Sequence, residues 1–144
     1  GGNGYVEDGP MARLYREAPL NAIWEGSGNV MCLDVLRAVN KDREGFALLF
    51  DGLIECAHGE ARLANSVEKL RNRFANPSGL EADMRYVVEC MAQTVAACLL
   101  VKDAPEALSD AFICSRVRGG FRHNYGSLRG ADVSTIIEAT RPIL

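Results

Sequence analysis

An apolar stripe between residues 80 and 99 constrains the fold of this chain more than any other feature of its sequence. Apolar residues recur there at steps of three and four, which is the spacing of one face of an α-helix. The stripe extends over about five helical turns, so the sequence predicts a long helix with one face in the protein core. Ser78 followed by Glu81 has the capping-box pattern and predicts the start of this helix. The stripe consists of Leu80, Met84, Val87, Val88, Met91, Val95, Cys98 and Leu99.

The remaining segments also have helical spacing, and none has the period of two that is typical of a strand. Pro19 interrupts short helical turns between residues 11 and 21, and Asn76-Pro77 ends a later helix. Helices joined by short connections predict an all-α, antiparallel helical bundle. The predicted helices cover residues 28–39, about 42–56, 61–74, about 106–116 and 133–139, and the first of them is expected to be mostly buried.

The composition is that of an ordinary globular domain. The chain has 144 residues, 48% of them hydrophobic and 24% charged, with a net charge of −3. That length fits one domain or one piece of a larger protein. The net charge gives no global attraction to nucleic acid. The longest apolar run, residues 95–101, is too short to cross a bilayer, so we expect no membrane partner.

The cysteines and histidines predict no metal site. The cysteines are spread singly and form no Cys-x-x-Cys pair, which argues against a disulfide framework and favours a reducing, cytoplasmic location. We expect each cysteine to be a small buried apolar residue. His58 and His123 lack the spacing of metal ligands. The cysteines are Cys32, Cys56, Cys90, Cys98 and Cys114.

A candidate acid–base group stands at Glu25, between Trp24 and Gly26. Apolar surroundings make a carboxylate a stronger base, and a following glycine lets a substrate approach the backbone closely. Ser27 is a candidate cap for a helix that begins near Gly28, and the free N–H groups of that helix would face the same spot. On the residues alone, Glu25 as a helix cap or ion-pair partner and Trp24 as a core ring stay open as alternatives.

The segment 111–131 is basic and contains neither Asp nor Glu. Arginines on a glycine-rich loop are good phosphate ligands, because the guanidinium group binds phosphate oxygens in a bidentate manner. The alternative is a solvated loop whose arginines pair with nearby acidic helices. The arginines are Arg116, Arg118, Arg122 and Arg129.

Three motifs near the start of the chain resemble the C-terminal helical domain of the acyl-CoA dehydrogenase family. They read GGNGY at residues 1–5, RLYREA at 13–18 and IWEGSGN at 23–29. The sequence from Tyr15 to Val30 resembles that of the alkylation-response, AidB-like branch. The resemblance implies that residues 1–144 are the C-terminal domain of a larger flavoprotein, with flavin and active-site motifs in 1–29 and a helical bundle in 30–144. The opening GGNGY, which reads as the middle of a loop, fits such a fragment.

This resemblance implies an FAD enzyme that removes two hydrogens from the Cα–Cβ bond of an acyl-CoA thioester. Glu25 matches the family's base, which takes the α-proton, while the cofactor takes the β-hydride. The backbone N–H of Glu25 would help to polarise the thioester carbonyl. Trp24 and Gly26 are the implied substrate contacts. The isolated chain is expected to be inactive, since it lacks the rest of the flavin and acyl sites.

The same resemblance implies which residues contact FAD. Ser27 and Asn29 match positions that touch the flavin dinucleotide in the family. Gly1, Gly2 and Gly4 match a loop that contacts FAD bound mainly by another subunit. Glycines there would allow positive φ and bring N–H groups close to phosphate. A site shared between subunits implies a homo-oligomer, and the resemblance implies a tetramer.

A different function is implied by the AidB-like branch, whose members bind double-stranded DNA with little sequence preference. Arg37 and Arg118 match arginines implicated in that binding. Contacts of this kind lie on phosphates, so affinity falls with salt. The sequence therefore leaves two main hypotheses, an acyl-CoA dehydrogenase and a DNA-associated flavoprotein with little dehydrogenase activity. A third is a domain that serves only for oligomerisation.

Overall fold

The computed structural model describes residues 1–76, 78–117 and 130–141. Short 3-10 helices occupy Gly2–Gly4 and Ala18–Ala22, and a π-helical segment, Ile113–Val117, continues the sixth helix. No strand occurs in these described ranges, so the predicted all-α class is confirmed. The α-helices in the same ranges are α1 (Met11–Glu17), α2 (Gly28–Lys41), α3 (Arg43–Cys56), α4 (Ala61–Ala75), α5 (Leu80–Asp103), α6 (Glu106–Phe112) and α7 (Val133–Ala139).

Helix α5 is the central element of the bundle. Helices α2, α3, α4 and α6 and the π-helical segment all pack against it. It has 24 residues, and its most apolar stretch of 18 residues has a mean hydropathy of 1.4, so by length and composition alone it is apolar enough to cross a membrane. The short run 95–101 did not indicate this. Four of the described helices pack against α5, but only 28% of that apolar stretch is buried, so the expectation of no membrane partner stays a prediction.

The start of α5 differs from the predicted capping box. Gly79 precedes the helix with a φ of +65°, and no side chain caps the helix. Ser78 instead donates its backbone N–H to Asn76 Oδ1 at 3.1 Å. The prediction from Ser78 and Glu81 was therefore wrong. The connection from α4 needs a left-handed residue, which glycine adopts at little cost.

The core lies between α4 and α5. Leu63 and Val67 on α4 and Met84 and Val87 on α5 are at most 2% exposed. These residues interlock the two helices along the first turns of the predicted stripe. Since full burial of such a side chain contributes about 1.5–3 kcal/mol, this contact contributes substantially to the stability of the bundle.

The prediction of which residues are buried is less accurate in the second half of α5. Leu99 is 57% exposed, whereas Thr94 and Ala97 are fully buried. Thr94 is compatible with burial because its hydroxyl donates to the carbonyl of Cys90 at 2.8 Å and also contacts Ser66 Oγ at 3.0 Å. Helices α4 and α6 thus cover a face that the apolar residues alone did not define.

Helix α2 is not the mostly buried helix that its sequence predicts. Cys32 is its buried residue, while Val30, Met31 and Leu33 are 56%, 57% and 46% exposed. One side of α2 packs on α5. The other side stays uncovered by the described residues, although its composition is apolar.

All five cysteines are free thiols. Cys32 and Cys98 are buried, as predicted, and the other three are half-buried. Burial, together with the neighbouring Cys56 thiol, raises the pKa of Cys98 to about 12. That thiol is therefore protonated at neutral pH, as expected of a small apolar residue in a core.

A charged cluster joins the start of α4 to α6. Arg62 donates to both carboxylate oxygens of Glu60, and its Nη1 lies 2.6 Å from Asp110 Oδ1. The hydrogen bond from Arg62 holds the pKa of Glu60 below its usual value and raises the pKa of Arg62 itself. Because the pKa of Glu60 is lower in the folded state, the contribution of this pair to stability is lost as pH falls through that value.

Candidate functional site

The predicted active-site motif forms the connection between the 3-10 helix Ala18–Ala22 and α2. The N–H groups of Ile23 and Trp24 both donate to the carbonyl of Leu20, at 3.0 and 3.1 Å, and end the 3-10 turn. No described backbone carbonyl accepts a hydrogen bond from the N–H of Glu25. A free donor and a carboxylate therefore belong to the same residue.

Glu25 has the left-handed backbone conformation. Its φ is +58°, and no other non-glycine residue in the described ranges has a positive φ. Such a conformation costs of the order of 1–3 kcal/mol in a non-glycine residue and is concentrated at functional sites. Gly26 follows with a φ of +119°. It lies against α2, since a Cβ built on Gly26 would be 3.5 Å from Met31 Cγ. The strained pair turns the chain sharply before α2.

The side chains at this turn are exposed. Trp24 is 55% exposed and Ile23 is 68% exposed, so the ring of Trp24 is not a core ring. Glu25 is also exposed, and it forms no hydrogen bond or ion pair with any residue that the structure describes. The alternatives of a helix cap or an ion-pair partner for Glu25 therefore have no support within the described part of the chain.

Helix α2 begins directly after this turn. Ser27 occupies the N-cap position, as predicted, but its side chain forms no capping hydrogen bond. The guanidinium of Arg85, from α5, lies over Gly28, where a Cβ would come within 3.0 Å of its Nη1. The same Nη1 donates to Asn29 Oδ1 at 3.1 Å. The absence of a Cβ at Gly28 thus lets the guanidinium of Arg85 pack close to the start of α2, where the first N–H groups of the helix have no intrahelical partner.

The glycine-rich start of the chain forms a 3-10 turn on α1. The N–H of Gly4 donates to the carbonyl of Gly1 at 2.9 Å, and that of Tyr5 donates to Gly2. Neither Gly2 nor Gly4 has a positive φ, so the expected conformational reason for these glycines was wrong. Space does not require glycine at position 4 either, since a Cβ there would lie in ordinary contact with Tyr15, at 3.7 Å. A role in binding FAD stays a prediction.

The two predicted DNA-binding residues have different outcomes. Arg37 is 78% exposed on α2 and forms an ion pair with Asp34 Oδ1 at 2.8 Å. Arg118 lies outside the described residues, as does most of the glycine-rich basic segment. In the described part of the chain, no three His, Cys, Asp or Glu side chains are grouped as metal ligands.

Sequence reasoning missed Arg85. It is 56 residues from Asn29 in sequence and lies on the polar face of α5, so no local pattern links the two residues. The left-handed conformation of Glu25 was also not predicted. A glutamate followed by glycine was the available signal, but glycine usually takes the positive φ itself.

Sequence comparison relates this chain to known acyl-CoA dehydrogenases. The sequence profile of the acyl-CoA dehydrogenase C-terminal domain matches residues 1–40. AidB of Escherichia coli (strain K12), whose name places it provisionally among the acyl-CoA dehydrogenases, is 36% identical over 128 residues, which cover 85% of this chain and 23% of AidB. Acyl-CoA dehydrogenase family member 11 of Caenorhabditis elegans is 41% identical over 90 residues, covering 62% of this chain and 14% of that protein. No solved structure matches the chain significantly.

The chain belongs to the acyl-CoA dehydrogenase family, and its all-helical fold is that of the family's C-terminal domain. Within the family it is AidB-like. The chain spans less than a quarter of the length of either relative.

Proposed function

We propose that residues 1–144 are the C-terminal helical domain of an FAD-dependent enzyme that dehydrogenates an acyl-CoA thioester at Cα–Cβ. In this proposal residues 1–29 carry the flavin and active-site motifs and residues 30–144 form the supporting bundle. The left-handed conformation of Glu25 carries the proposal. A glutamate that has no partner among the described residues, in a costly backbone conformation, is expected where a carboxylate must be aimed at a substrate.

Glu25 is proposed to take the α-proton of the substrate. Its carboxylate is free of ion pairs in the described part of the chain, so a proton acceptor is available without breaking an existing contact. Its free backbone N–H would polarise the thioester carbonyl and thereby acidify the α-proton. The exposed ring of Trp24 and the backbone of Gly26 would contact the acyl chain. The exposed carboxylate would be desolvated by the bound substrate and by the rest of the protein, which strengthens the base.

The residues at the start of α2 fit part of an FAD site. Because Gly28 has no Cβ, the guanidinium of Arg85 packs close to the backbone at the start of α2. Together with the first N–H groups of α2, this arrangement suits a diphosphate. Ser27 and Asn29 would contribute polar side chains to the same site. FAD, when bound, accepts the β-hydrogen of the substrate as hydride.

The test is the absorption spectrum of the intact protein that contains this chain. We expect a yellow protein whose flavin bleaches under anaerobic conditions when acyl-CoA thioesters of different chain lengths are added. Bleaching requires both a flavin and removal of the α-proton. A colourless protein, or a yellow one that no acyl-CoA bleaches, contradicts the proposed reaction.

The exposed apolar residues of the first 33 positions support a further part of the proposal, a homotetramer in the cytoplasm. Surfaces of this kind mark contacts with other protein surfaces, here other domains and a second subunit. The free thiols favour a reducing compartment. The large exposed apolar side chains are Tyr5, Val6, Met11, Leu14, Tyr15, Leu20, Ile23, Trp24, Val30, Met31 and Leu33.

A second proposed function is non-specific binding of double-stranded DNA by the intact protein. Arg37 and Lys41 lie one turn apart on α2, and both are exposed, so their side chains have access to neighbouring phosphates. Asp34 offsets part of this charge through its ion pair with Arg37. Arg118 would add a contact from outside the described residues.

The DNA proposal predicts a salt-dependent loss on substitution. We expect the double variant Arg37→Ala/Lys41→Ala to bind duplex DNA more weakly and to lower the slope of log K against log salt by about 0.9 per lost phosphate contact. The double variant Arg13→Ala/Arg16→Ala removes the same charge from α1 and serves as control. Fluorescence anisotropy at several salt concentrations measures both quantities. Equal slopes for the three proteins would contradict a role for α2.

A further inference from the structure

A cleft lies at the end of the bundle, away from the residues of the proposed active site. It is formed by the last turns of α2 and α4 and the first turns of α3 and α5, and its volume is about 460 Å³. Small-molecule sites have volumes of about 300–1,000 Å³. The cleft shares no lining residue with the segment 23–29.

The floor of this cleft is apolar and aromatic. Phe46 and Phe50 from α3 meet Phe74 from α4, with ring centroids 4.7–6.2 Å apart and all three pairs edge to face. Leu36 and Leu80 complete the apolar lining. Because the rings pack against one another, they leave no parallel slot for a planar base. Their edges form an irregular apolar surface that suits a flexible alkyl chain.

The rim of the cleft has two arginines that have no partner among the described residues. Arg43 and Arg71 both line the cleft, both are exposed, and neither pairs with any residue in the described ranges. By contrast, Arg62 and Arg73 each bind a carboxylate. An exposed guanidinium without a carboxylate partner can donate charge-assisted hydrogen bonds to an anion.

The carboxylate next to Arg43 is already engaged. Asp42 Oδ1 accepts the N–H of Gly45 at 2.8 Å and caps α3. The capping role fixes Asp42 on the backbone of α3 and leaves the guanidinium of Arg43 without a bond to it. The two arginines are therefore available to an external anion.

We propose that this cleft binds a medium-chain fatty acid, with the carboxylate on Arg43 and Arg71 and the alkyl chain over the three phenylalanine rings. Guanidinium groups bind carboxylates in a bidentate, charge-assisted manner. The chain leaves water for an apolar floor. The arginines at the rim thus match the carboxylate of the ligand, and the apolar floor matches its alkyl chain. This inference is independent of the role proposed for Glu25.

The test is isothermal titration calorimetry of decanoate into the intact protein. We expect one class of site that weakens about tenfold or more in Arg43→Gln/Arg71→Gln, because two charge-assisted contacts are lost. The variant Ala47→Phe is expected to abolish the same site by filling the cleft from an exposed lining position. The double variant Arg13→Gln/Arg16→Gln removes equal charge elsewhere and should bind as the unmodified protein does.

Two further probes separate the parts of the ligand. Acetate has the charge without the chain, and 1-decanol has the chain without the charge, so each is expected to bind far more weakly than decanoate. Decanoate binding that survives in either cleft variant, or that acetate reproduces, overturns the proposal. The flavin spectrum is recorded in the same samples. A colourless protein that still binds decanoate contradicts the proposed dehydrogenase but leaves this site standing.

Discussion

Replacement of Glu25 by Gln in the intact protein is expected to slow the reduction of its flavin by acyl-CoA about 10²–10⁴-fold. Glutamine has nearly the same shape and keeps the hydrogen-bonding capacity of the side chain, but it does not accept a proton at neutral pH. The flavin should remain bound, because the proposed FAD contacts are on Gly28, Arg85 and their neighbours. Anaerobic stopped-flow absorbance at the flavin band measures the rate.

The matched control for this variant is Glu55→Gln. Glu55 is an exposed glutamate on α3, and replacing it removes the same charge without touching the turn before α2. We expect the control to reduce its flavin at the unmodified rate. A Glu25→Gln protein that also reduces its flavin at that rate would show that another residue takes the α-proton.

Leu63→Ala is expected to destabilise the chain by about 2–5 kcal/mol. Leu63 is 0% exposed and lies on α4 against α5, so truncation leaves a cavity in the main helix contact. A loss of this size is a large part of the roughly 5–15 kcal/mol available to a domain. The midpoint of urea unfolding, followed by circular dichroism at 222 nm, measures the change.

Leu48→Ala is the control for the core substitution. Leu48 is 70% exposed on α3, and the same truncation there is expected to change the free energy of unfolding by at most about 0.5 kcal/mol. Similar losses for the two variants would mean that the α4–α5 contact is not the main core. A loss at Leu48 alone would place an interface on α3.

Helix positions could be predicted from the sequence because periodicity and breakers act locally. The spacing from Leu80 onward located α5, and Asn76-Pro77 located the end of α4 within a residue or two. Burial was harder to predict. Val30 and Leu33 have the spacing of a core face but are exposed, because burial depends on which helices a face meets. The same limit explains why Thr94 is buried and Leu99 is not.

The candidate site could be predicted only in part. The motif around Glu25 marked it as a candidate base, and that role stays a prediction. Its left-handed conformation and the approach of Arg85 depend on how the turn meets α2 and α5. Neither is encoded in neighbouring residues. The cleft with Arg43 and Arg71 joins residues almost thirty positions apart, and no local pattern indicated it.

The most direct test of Glu25 is the exchange of α-hydrogens for deuterium. The substrate is an acyl-CoA analogue with sulfur at the β-position, which keeps acidic α-hydrogens but has no β-hydrogen to transfer. In D₂O, with the intact protein, mass spectrometry should detect deuterium at the α-carbon for the unmodified protein and the Glu55→Gln control, and almost none for Glu25→Gln. Equal incorporation by all three proteins would contradict Glu25 as the group that removes the α-proton.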